Sequence, residues 1–427
     1  MKAKLLIIAL FALNQLIPSI SFGQKHFCGS HEIIQSIENK SPGFKSNFLS
    51  LTDEFKANKG NRTTLPNCTV NVVVHVVYFS ASSNLSTALI NRQIEILENC
   101  FNRKNADTVD MRPDFNIVTG LGTNIHFQLA TLDPNGQPTN GIIRTQTTID
   151  GFGSFFDIAE SVKSASTGGS SPWDTDKYLN IWVCDTKEPS GQPLVAGYAT
   201  PPGGLPNWPS MPPMIDGIVI QTEFFGENNP LQTSGENDGK VLVHEAGHYF
   251  GLRHIWGDES FCTGDDGIDD TPQFTDPSYF DCDLFKNTCV DNIQNIDLPD
   301  MIENYMDYSL STCQNSFTNN QAEFMNWVYQ NKRAGLGSGP NVSIKTIEND
   351  FKVELFPNPA NNFAQIKSDT KLSNYILFNS LGQIVSENQV SGNQFSIDLN
   401  SLESGFYFLK LANEKQTKTI KLVKSSN

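Results

Sequence analysis

The chain has little positive charge and no long apolar run. It contains 30 Lys and Arg residues against 46 Asp and Glu residues, a formal net charge of −16. A surface of this sign cannot follow a phosphate backbone, which excludes nucleic acid as a partner. The one long apolar run, residues 5–13, is too short to cross a bilayer, which needs about 20 residues. We therefore expect no transmembrane segment.

The apolar run has the flanks of a secretory signal peptide. Lys2 and Lys4 precede it, and the small-residue site Ser21–Gly23 follows it. We predict a signal peptide over residues 1–23, with a buried N-terminal helix as the alternative. Export leads to an oxidising environment, and the eight cysteines include no Cys-x-x-Cys pair. Disulfide bonds are therefore expected in a secreted protein.

A length of 427 residues predicts more than one domain. Residues 24–66 are polar and without a clear pattern, which suggests a pro-segment. Residues 67–334 alternate strand and helix patterns, and residues 335–349 form a Gly-rich linker. Residues 350–427 contain short alternating segments separated by turn signals, as in a small all-β sandwich domain. The expected fold class is α+β.

Several elements of the middle domain can be placed from hydrophobic periodicity. Ser86 is expected to cap a helix, and two further helices are predicted over 238–250 and 321–331. Strands are predicted at 70–78, 125–130, 178–184, 195–199 and 215–220.

The most informative segment runs from His244 to His254. On a helix, His244 and His248 share one face, so both imidazoles can bind the same ion, with Glu245 beside it. Gly251 can end the helix, so that His254 supplies a third nitrogen from outside it. Three imidazoles with an open fourth position are typical of catalytic zinc, whereas structural zinc usually has four protein ligands.

The clustering of histidines supports this interpretation. Three of the seven histidines of the chain lie in this eleven-residue window. His75, in contrast, stands alone in a predicted strand, and we expect a hydrogen-bonded core histidine there and not a ligand.

The histidine segment resembles the extended zinc motif of metzincin endopeptidases, and Asn304–Tyr308 resembles their Met-turn. Further segments within residues 67–333 are similar to the pappalysin family in particular: Val74–Tyr78, Leu179–Trp182 and Asp269–Pro272. The resemblance implies a metzincin-like catalytic domain, with a mixed twisted sheet and an active-site helix. It also implies a zinc-dependent endopeptidase that acts on proteins or peptides.

The resemblance assigns roles to individual residues. Glu245 is the general base, Met306 forms the apolar floor below the zinc ligands, and Tyr308 stabilises the oxyanion. Two rival functions stay open at this point. One is a non-catalytic binding or adhesion protein that keeps the fold and the metal. The other is a zinc amidase.

The segment between Gly257 and Tyr308 is strongly acidic, with fourteen Asp and Glu residues against one Lys. Carboxylates at this density call for a cation, and the hard oxygen ligands suit Ca²⁺. By the resemblance, the matching positions are Asp266, Asp269 and Thr271. The alternative is a solvated acidic surface.

The same segment contains four cysteines, which allow three pairings. The resemblance implies Cys262–Cys289 and Cys282–Cys313. Family members that prefer a basic residue next to the cut have an acidic residue in the specificity pocket after the last of these cysteines. Here that position is Gln314, so the resemblance does not imply a basic preference.

Both ends of the chain carry further signals. The C-terminal domain resembles the sorting domain of type IX secretion, on the segments Pro357–Pro359, Leu381–Gln383, Gly405–Tyr407 and Lys418–Lys424. This implies export through that machinery, to the cell surface or beyond. A carbohydrate-binding sandwich is the alternative. In the pro-segment, Cys28 is a candidate latency switch that holds a thiolate on the zinc, or else half of a disulfide.

Overall fold

The structure is a computed structural model and describes residues 26–58, 65–153, 161–187, 195–209, 214–232, 238–279, 281–338, 352–379, 383–413 and 417–425. The chain divides into two compact units, Met1–Asn341 and Val342–Asn427, each with its own hydrophobic core. Several sequence features lie outside the described residues: the predicted signal peptide 1–23, residues 339–349 of the predicted linker, and residues 381–382 of the segment Leu381–Gln383.

The first unit combines a sheet with five described α-helices. In chain order its elements are β1 (His26–Cys28), α1 (Ser30–Lys40), α2 (Phe44–Asn58), β2 (Cys68–Tyr78), α3 (Thr87–Phe101), β3 (Ile125–Leu129), β4 (Ile142–Gln146), β5 (Tyr178–Cys184), β6 (Val195–Ala199), β7 (Ile218–Gln221), α4 (Lys240–Tyr249) and α5 (Asn319–Lys332).

The sheet has the strand order β1-β6-β7-β5-β2-β3, and β4 pairs with the second half of β2. Strand β6 is antiparallel to β7, and the other pairs are parallel. Strand β2 is buried on both faces, as its run of valines predicts. The mixed sheet and the helix that follows it confirm the expected α+β class. The strand β4 is absent from the sequence-based prediction.

Helix α3 begins as predicted, because the Ser86 hydroxyl accepts a hydrogen bond from the backbone N–H of Leu89 at 3.2 Å. His75, on β2, is fully buried. Its Nδ1 lies 2.9 Å from Ser170 Oγ and its Nε2 lies 2.9 Å from Asn180 Oδ1. The expectation of a hydrogen-bonded core histidine is therefore confirmed.

Residues 26–58, which lie in the predicted pro-segment, differ from their description as polar and patternless. They form β1 and the two helices α1 and α2, of 11 and 15 residues. Apolar residues recur along α2 at intervals of three and four positions, so they share one buried face. The polar residues between them cover the outer face, which is why average composition conceals the helix.

The second unit is all-β, as predicted. Strands β8 (Val353–Phe356), β9 (Phe363–Phe378), β10 (Ile384–Asp398), β11 (Gly405–Ala412) and β12 (Thr417–Lys424) form one antiparallel sheet. The β9–β10 pair changes register near Gln389 and Gly392, where bulges bend long strands. Both halves of β9 contribute to one core, through Ile366 and Leu377.

None of the helices in the described part of the chain is long and apolar enough to cross a membrane.

Candidate metal centre

Helix α4 positions the first two histidines. His244 and His248 lie one turn apart on it, and both are buried. Gly251 has φ +90° and donates its N–H to the His248 carbonyl at 2.8 Å, which ends the helix. The chain then turns, so that His254 returns to the same place from outside the helix.

The three imidazoles converge. His248 Nε2 lies 3.1 Å from the Nε2 atoms of both His244 and His254. Ligands about 2.0–2.1 Å from a tetrahedral zinc ion are separated by about 3.4 Å, close to this spacing. Cys28 joins the group, and the four ligand atoms lie within 4.8 Å of one another. Among the described residues, no second group of this kind is found.

Each imidazole is oriented by a partner at Nδ1. His244 Nδ1 lies 2.6 Å from the Tyr305 carbonyl and His248 Nδ1 lies 2.8 Å from the Leu252 carbonyl. His254 Nδ1 pairs with the carboxylate of Asp258. A proton on each Nδ1 leaves the Nε2 lone pair directed at the centre, so the residues present fit a zinc ion. Burial lowers the pKa of His244 to about 3, which keeps this imidazole neutral.

Glu245 lies on the same helix and is fully buried. Ser30 donates its hydroxyl to Glu245 Oε2 at 2.9 Å, and Cys28 Sγ lies 3.5 Å from the same oxygen. Burial raises the pKa of Glu245 to about 8. On strand β6, a Cβ at Gly197 would lie only 2.9 Å from Glu245 Cγ, so the strand backbone approaches this carboxylate closely.

Met306 and Tyr308 surround the ligands from the other side. A Cβ at Gly247, between the two helical histidines, would lie 2.5 Å from Met306 Sδ, so the thioether touches the helix there. The ring of Tyr308 lies 5.7 Å from that of His244 and 4.9 Å from that of His254. The structure therefore brings both residues to the histidines.

In the acidic segment, Asp266 offers a buried carboxylate that suits a cation. Asp266 is buried, and its Oδ1 accepts hydrogen bonds from Thr271 Oγ1 at 2.8 Å and the Ile268 N–H at 2.9 Å. Its Oδ2 is buried without a hydrogen-bond partner in the described chain, and burial raises its pKa to about 8. Asp269 instead points to Lys56 of α2, with 2.5 Å between Nζ and Oδ1.

The two expected disulfides are confirmed, Cys262–Cys289 and Cys282–Cys313. The broader expectation that the cysteines form disulfides is wrong for four of them: Cys28, Cys68, Cys100 and Cys184 are buried and form no disulfide bond. Cys28 is therefore not half of a disulfide. Cys68, Cys100 and Cys184 belong to the apolar core, where a thiol behaves as a small hydrophobic group.

Gln314 is buried beside the Met-turn. Its side-chain Nε2 donates to the Asp307 backbone carbonyl at 2.8 Å, and the backbone carbonyl of Gln314 accepts from Lys240 Nζ at 2.6 Å. Lys240 is also 2.7 Å from Asp107 Oδ2 and from the Ser311 carbonyl. The Gln314 side chain is thus directed at the backbone of the segment that carries Tyr308.

Sequence reasoning missed two residues of this centre. Asp258 follows His254 by four positions, and this spacing could have indicated a partner for the ligand. Ser30 carried no such signal, because it lies 215 positions from Glu245 in the chain.

Comparisons with known proteins agree with this geometry. Residues 165–330 match a peptidase family model described as pregnancy-associated plasma protein-A, and residues 354–425 match the secretion system C-terminal sorting domain. An extracellular metalloprotease of Arthroderma benhamiae is 26% identical over 309 residues, which are 71% of this chain and 87% of the relative.

Two solved structures from Tannerella forsythia are similar. Mature mirolysin in complex with a cleaved peptide is 35% identical, with a TM-score of 0.56, and the match covers 67% of this chain and 100% of mirolysin. A promirolysin mutant is 33% identical, with a TM-score of 0.62, and the match covers 73% of this chain and 97% of that protein. The chain therefore belongs to the pappalysin-like family of metzincin zinc metalloendopeptidases and carries a type IX secretion sorting domain.

Proposed function

We propose that this chain is a secreted, latent endopeptidase that cuts internal peptide bonds, with Glu245 as its general base. The observation that carries the proposal is the position of Glu245, a buried carboxylate on the helix that bears two of the three convergent imidazoles. His244, His248 and His254 would hold the zinc ion. When bound, zinc acts as a Lewis acid and lowers the pKa of water toward ~7.

The residues of the chain supply the remaining steps. Glu245 accepts a proton from the attacking water and transfers it to the leaving amine. Tyr308, beside two of the ligand rings, donates its phenol proton in a hydrogen bond to the oxyanion. Strand β6 offers an edge to which an extended substrate can add as a further strand, and β1 already uses that edge.

The test compares Glu245→Ala with Glu259→Ala, which removes an exposed carboxylate. We expect Glu245→Ala to keep its fold and its zinc but to lose at least ~10³ in rate on casein, while the control keeps its activity. Mass spectrometry of the digests should show internal cuts. Unchanged cleavage by Glu245→Ala would contradict the assignment of Glu245 as the general base. Cuts confined to chain ends or acyl-amino acids would favour an amidase. Zinc binding without any hydrolysis by the parent would favour a binding protein.

Latency is assigned to Cys28, whose sulfur lies among the three histidines. A thiolate on the zinc occupies the position that the reaction needs. In the cobalt-substituted Glu245→Ala precursor we expect a near-ultraviolet charge-transfer band from thiolate to cobalt, and Cys28→Ala should abolish it. A band of equal intensity in both proteins would exclude Cys28 as a ligand.

Calcium is assigned to the acidic segment on the unpartnered oxygen of Asp266. Thr271, which donates to the same carboxylate, belongs to this site, and Asp269 would join it after leaving Lys56. The sorting domain supports export through the type IX machinery and a location outside the cell or on its surface.

A further inference from the structure

Lys240, the first residue of α4, has a buried ammonium group. Its side chain is 8% exposed. The Nζ atom lies 2.7 Å from Asp107 Oδ2, 2.7 Å from the Ser311 carbonyl and 2.6 Å from the Gln314 carbonyl. A lysine ammonium group carries three protons, and these three acceptors match them. The ammonium group is therefore held in one position.

The first turn of a helix is an unfavourable place for a buried cation. Burial removes water from the charge, and the N-terminal end of a helix carries partial positive charge. The ammonium group is stable there because oxygen atoms surround it. In return it pairs with two carbonyl groups of residues 311–314, which lie outside the helices and strands and so need side-chain donors.

Helix α4 fixes the backbone on both sides of Tyr308. On the N-terminal side, His244 Nδ1 lies 2.6 Å from the Tyr305 carbonyl. On the C-terminal side, Lys240 Nζ lies 2.7 Å from the Ser311 carbonyl. Lys240 and His244 are one helical turn apart and share a face of α4. Tyr308 stands midway between the two fixed carbonyl groups in the sequence.

Gln314 links the contact of Lys240 to the residue before Tyr308. Its backbone carbonyl accepts from Lys240 Nζ, and its side-chain Nε2 donates to the Asp307 carbonyl at 2.8 Å. Gln314 is buried, so water does not replace either bond. A shift of the 311–314 backbone would therefore pull on Asp307 and move Tyr308 with it.

We propose that Lys240 is a positioning residue that holds the phenol of Tyr308 where the oxyanion develops. This inference rests on the proposed function, in which Tyr308 stabilises the oxyanion. Hydrogen bonds to a transition state depend steeply on geometry, and a displacement of about 1 Å costs ~10²-fold in rate. Lys240 acts on the reaction through the backbone and through Tyr308, and the three histidines keep their own Nδ1 partners without it.

The test is a double-mutant cycle of Lys240→Met and Tyr308→Phe in the active zinc enzyme prepared from the full chain. A quenched fluorescent peptide, designed on a cut found in the casein digests, gives kcat and KM. We expect Tyr308→Phe to lower kcat ~100-fold and Lys240→Met to lower it ~10-fold, with KM within ~2-fold of the parent. In the Tyr308→Phe background, Lys240→Met should lower kcat by less than ~2-fold, because its effect passes through the missing phenol.

Three variants control for charge and folding. Lys177→Met removes an exposed lysine that pairs with Asp174, and it should keep the kcat of the parent. Lys240→Arg keeps the charge and several donors, and its kcat should lie within ~3-fold of the parent. If Lys240→Met folds poorly because Asp107 has lost its partner, Lys240→Met with Asp107→Asn removes that charge and takes its place in the cycle.

Inhibitor binding gives a readout that does not depend on turnover. A phosphinic peptide imitates the tetrahedral oxyanion, so Lys240→Met should bind it ~10-fold more weakly, whereas a hydroxamate should bind within ~2-fold of the parent. Zinc content should be equal. The inference is overturned if Lys240→Met keeps the kcat of the parent, or lowers kcat equally in both backgrounds, or weakens both inhibitors alike; each of these leaves the peptidase intact. A parent-like kcat in Tyr308→Phe would instead overturn the proposed role of Tyr308, and this inference with it.

Discussion

Replacing His75 by Gln should make the stability of the catalytic unit less dependent on pH. His75 is fully buried on β2, hydrogen-bonded to Ser170 and Asn180 and stacked on Trp182 with 5.0 Å between ring centroids. Burial lowers its pKa from 6.5 to about 4. The folded chain therefore holds this imidazole in its neutral form at pH values where an unfolded chain would protonate it.

The sign and size of the effect follow from linkage. Below pH 6.5 the unfolded state binds a proton that the folded state does not bind, so stability falls as the pH decreases from about 6.5 to about 4. A shift of roughly 2.5 pKa units corresponds to about 3 kcal/mol in the free energy of unfolding. Of this, about 2 kcal/mol is lost between pH 7 and pH 5.

The assay is urea unfolding at pH 7 and pH 5, with tryptophan fluorescence as the readout. Both proteins carry Glu245→Ala, which prevents self-digestion. His75→Gln keeps hydrogen-bonding groups but cannot titrate. Zinc loss at low pH affects both proteins equally and cancels in the difference between them. We expect the parent to lose about 2 kcal/mol more than His75→Gln between the two pH values. Equal losses would refute the reasoning.

Three further predictions concern the acidic segment. A chelator selective for Ca²⁺ should lower the melting temperature of the parent but not that of Asp266→Asn. The reason is that a ligand present at a hundred times its Kd adds about 2.7 kcal/mol to the free energy of unfolding. An unchanged melting temperature of the parent would indicate a solvated acidic surface. Lys56→Ala should tighten Ca²⁺ binding to the precursor ~3-fold in titration calorimetry, since it frees Asp269, and equal affinity would show that the carboxylate is not shared. Removing the Cys282–Cys313 bridge by serine substitution should cost about 2–4 kcal/mol in denaturant unfolding, and an unchanged midpoint would contradict this.

The catalytic helix could be predicted because its signal is local. His244, His248 and Gly251 have spacings that only one helical face and one helix end satisfy, and the observed helix ends at Tyr249, one residue before the predicted end. Strands β5 and β6 have their predicted bounds for a similar reason, since each is a short apolar run between turn signals.

The packing of residues 26–58 against the rest of the first unit could not be predicted from composition, because the partners of these residues lie far away in the sequence. Phe44, Phe48 and Phe55 do recur at helical spacing. The rings that contact Phe55, however, are Phe324 and Trp327 of α5, more than 260 positions later in the chain. Strand β1 has only three residues and pairs through its backbone, so it leaves no side-chain signal. The contact of Ser30 with Glu245 depends on this docking and was missed with it.

The two glycines that touch the centre restrict where helix α4 can lie. At Gly197 a methyl group would collide with Glu245 Cγ and Ile220 Cδ1, each 2.9 Å away, and at Gly247 it would collide with the Met306 thioether. Helix α4 thus packs closely against strand β6 on one side and against the Met-turn on the other. At both contacts there is room for the hydrogen atom of a glycine but not for a side chain. The position of the helix that carries both imidazoles therefore depends on two residues that have no side chain and take no part in the chemistry.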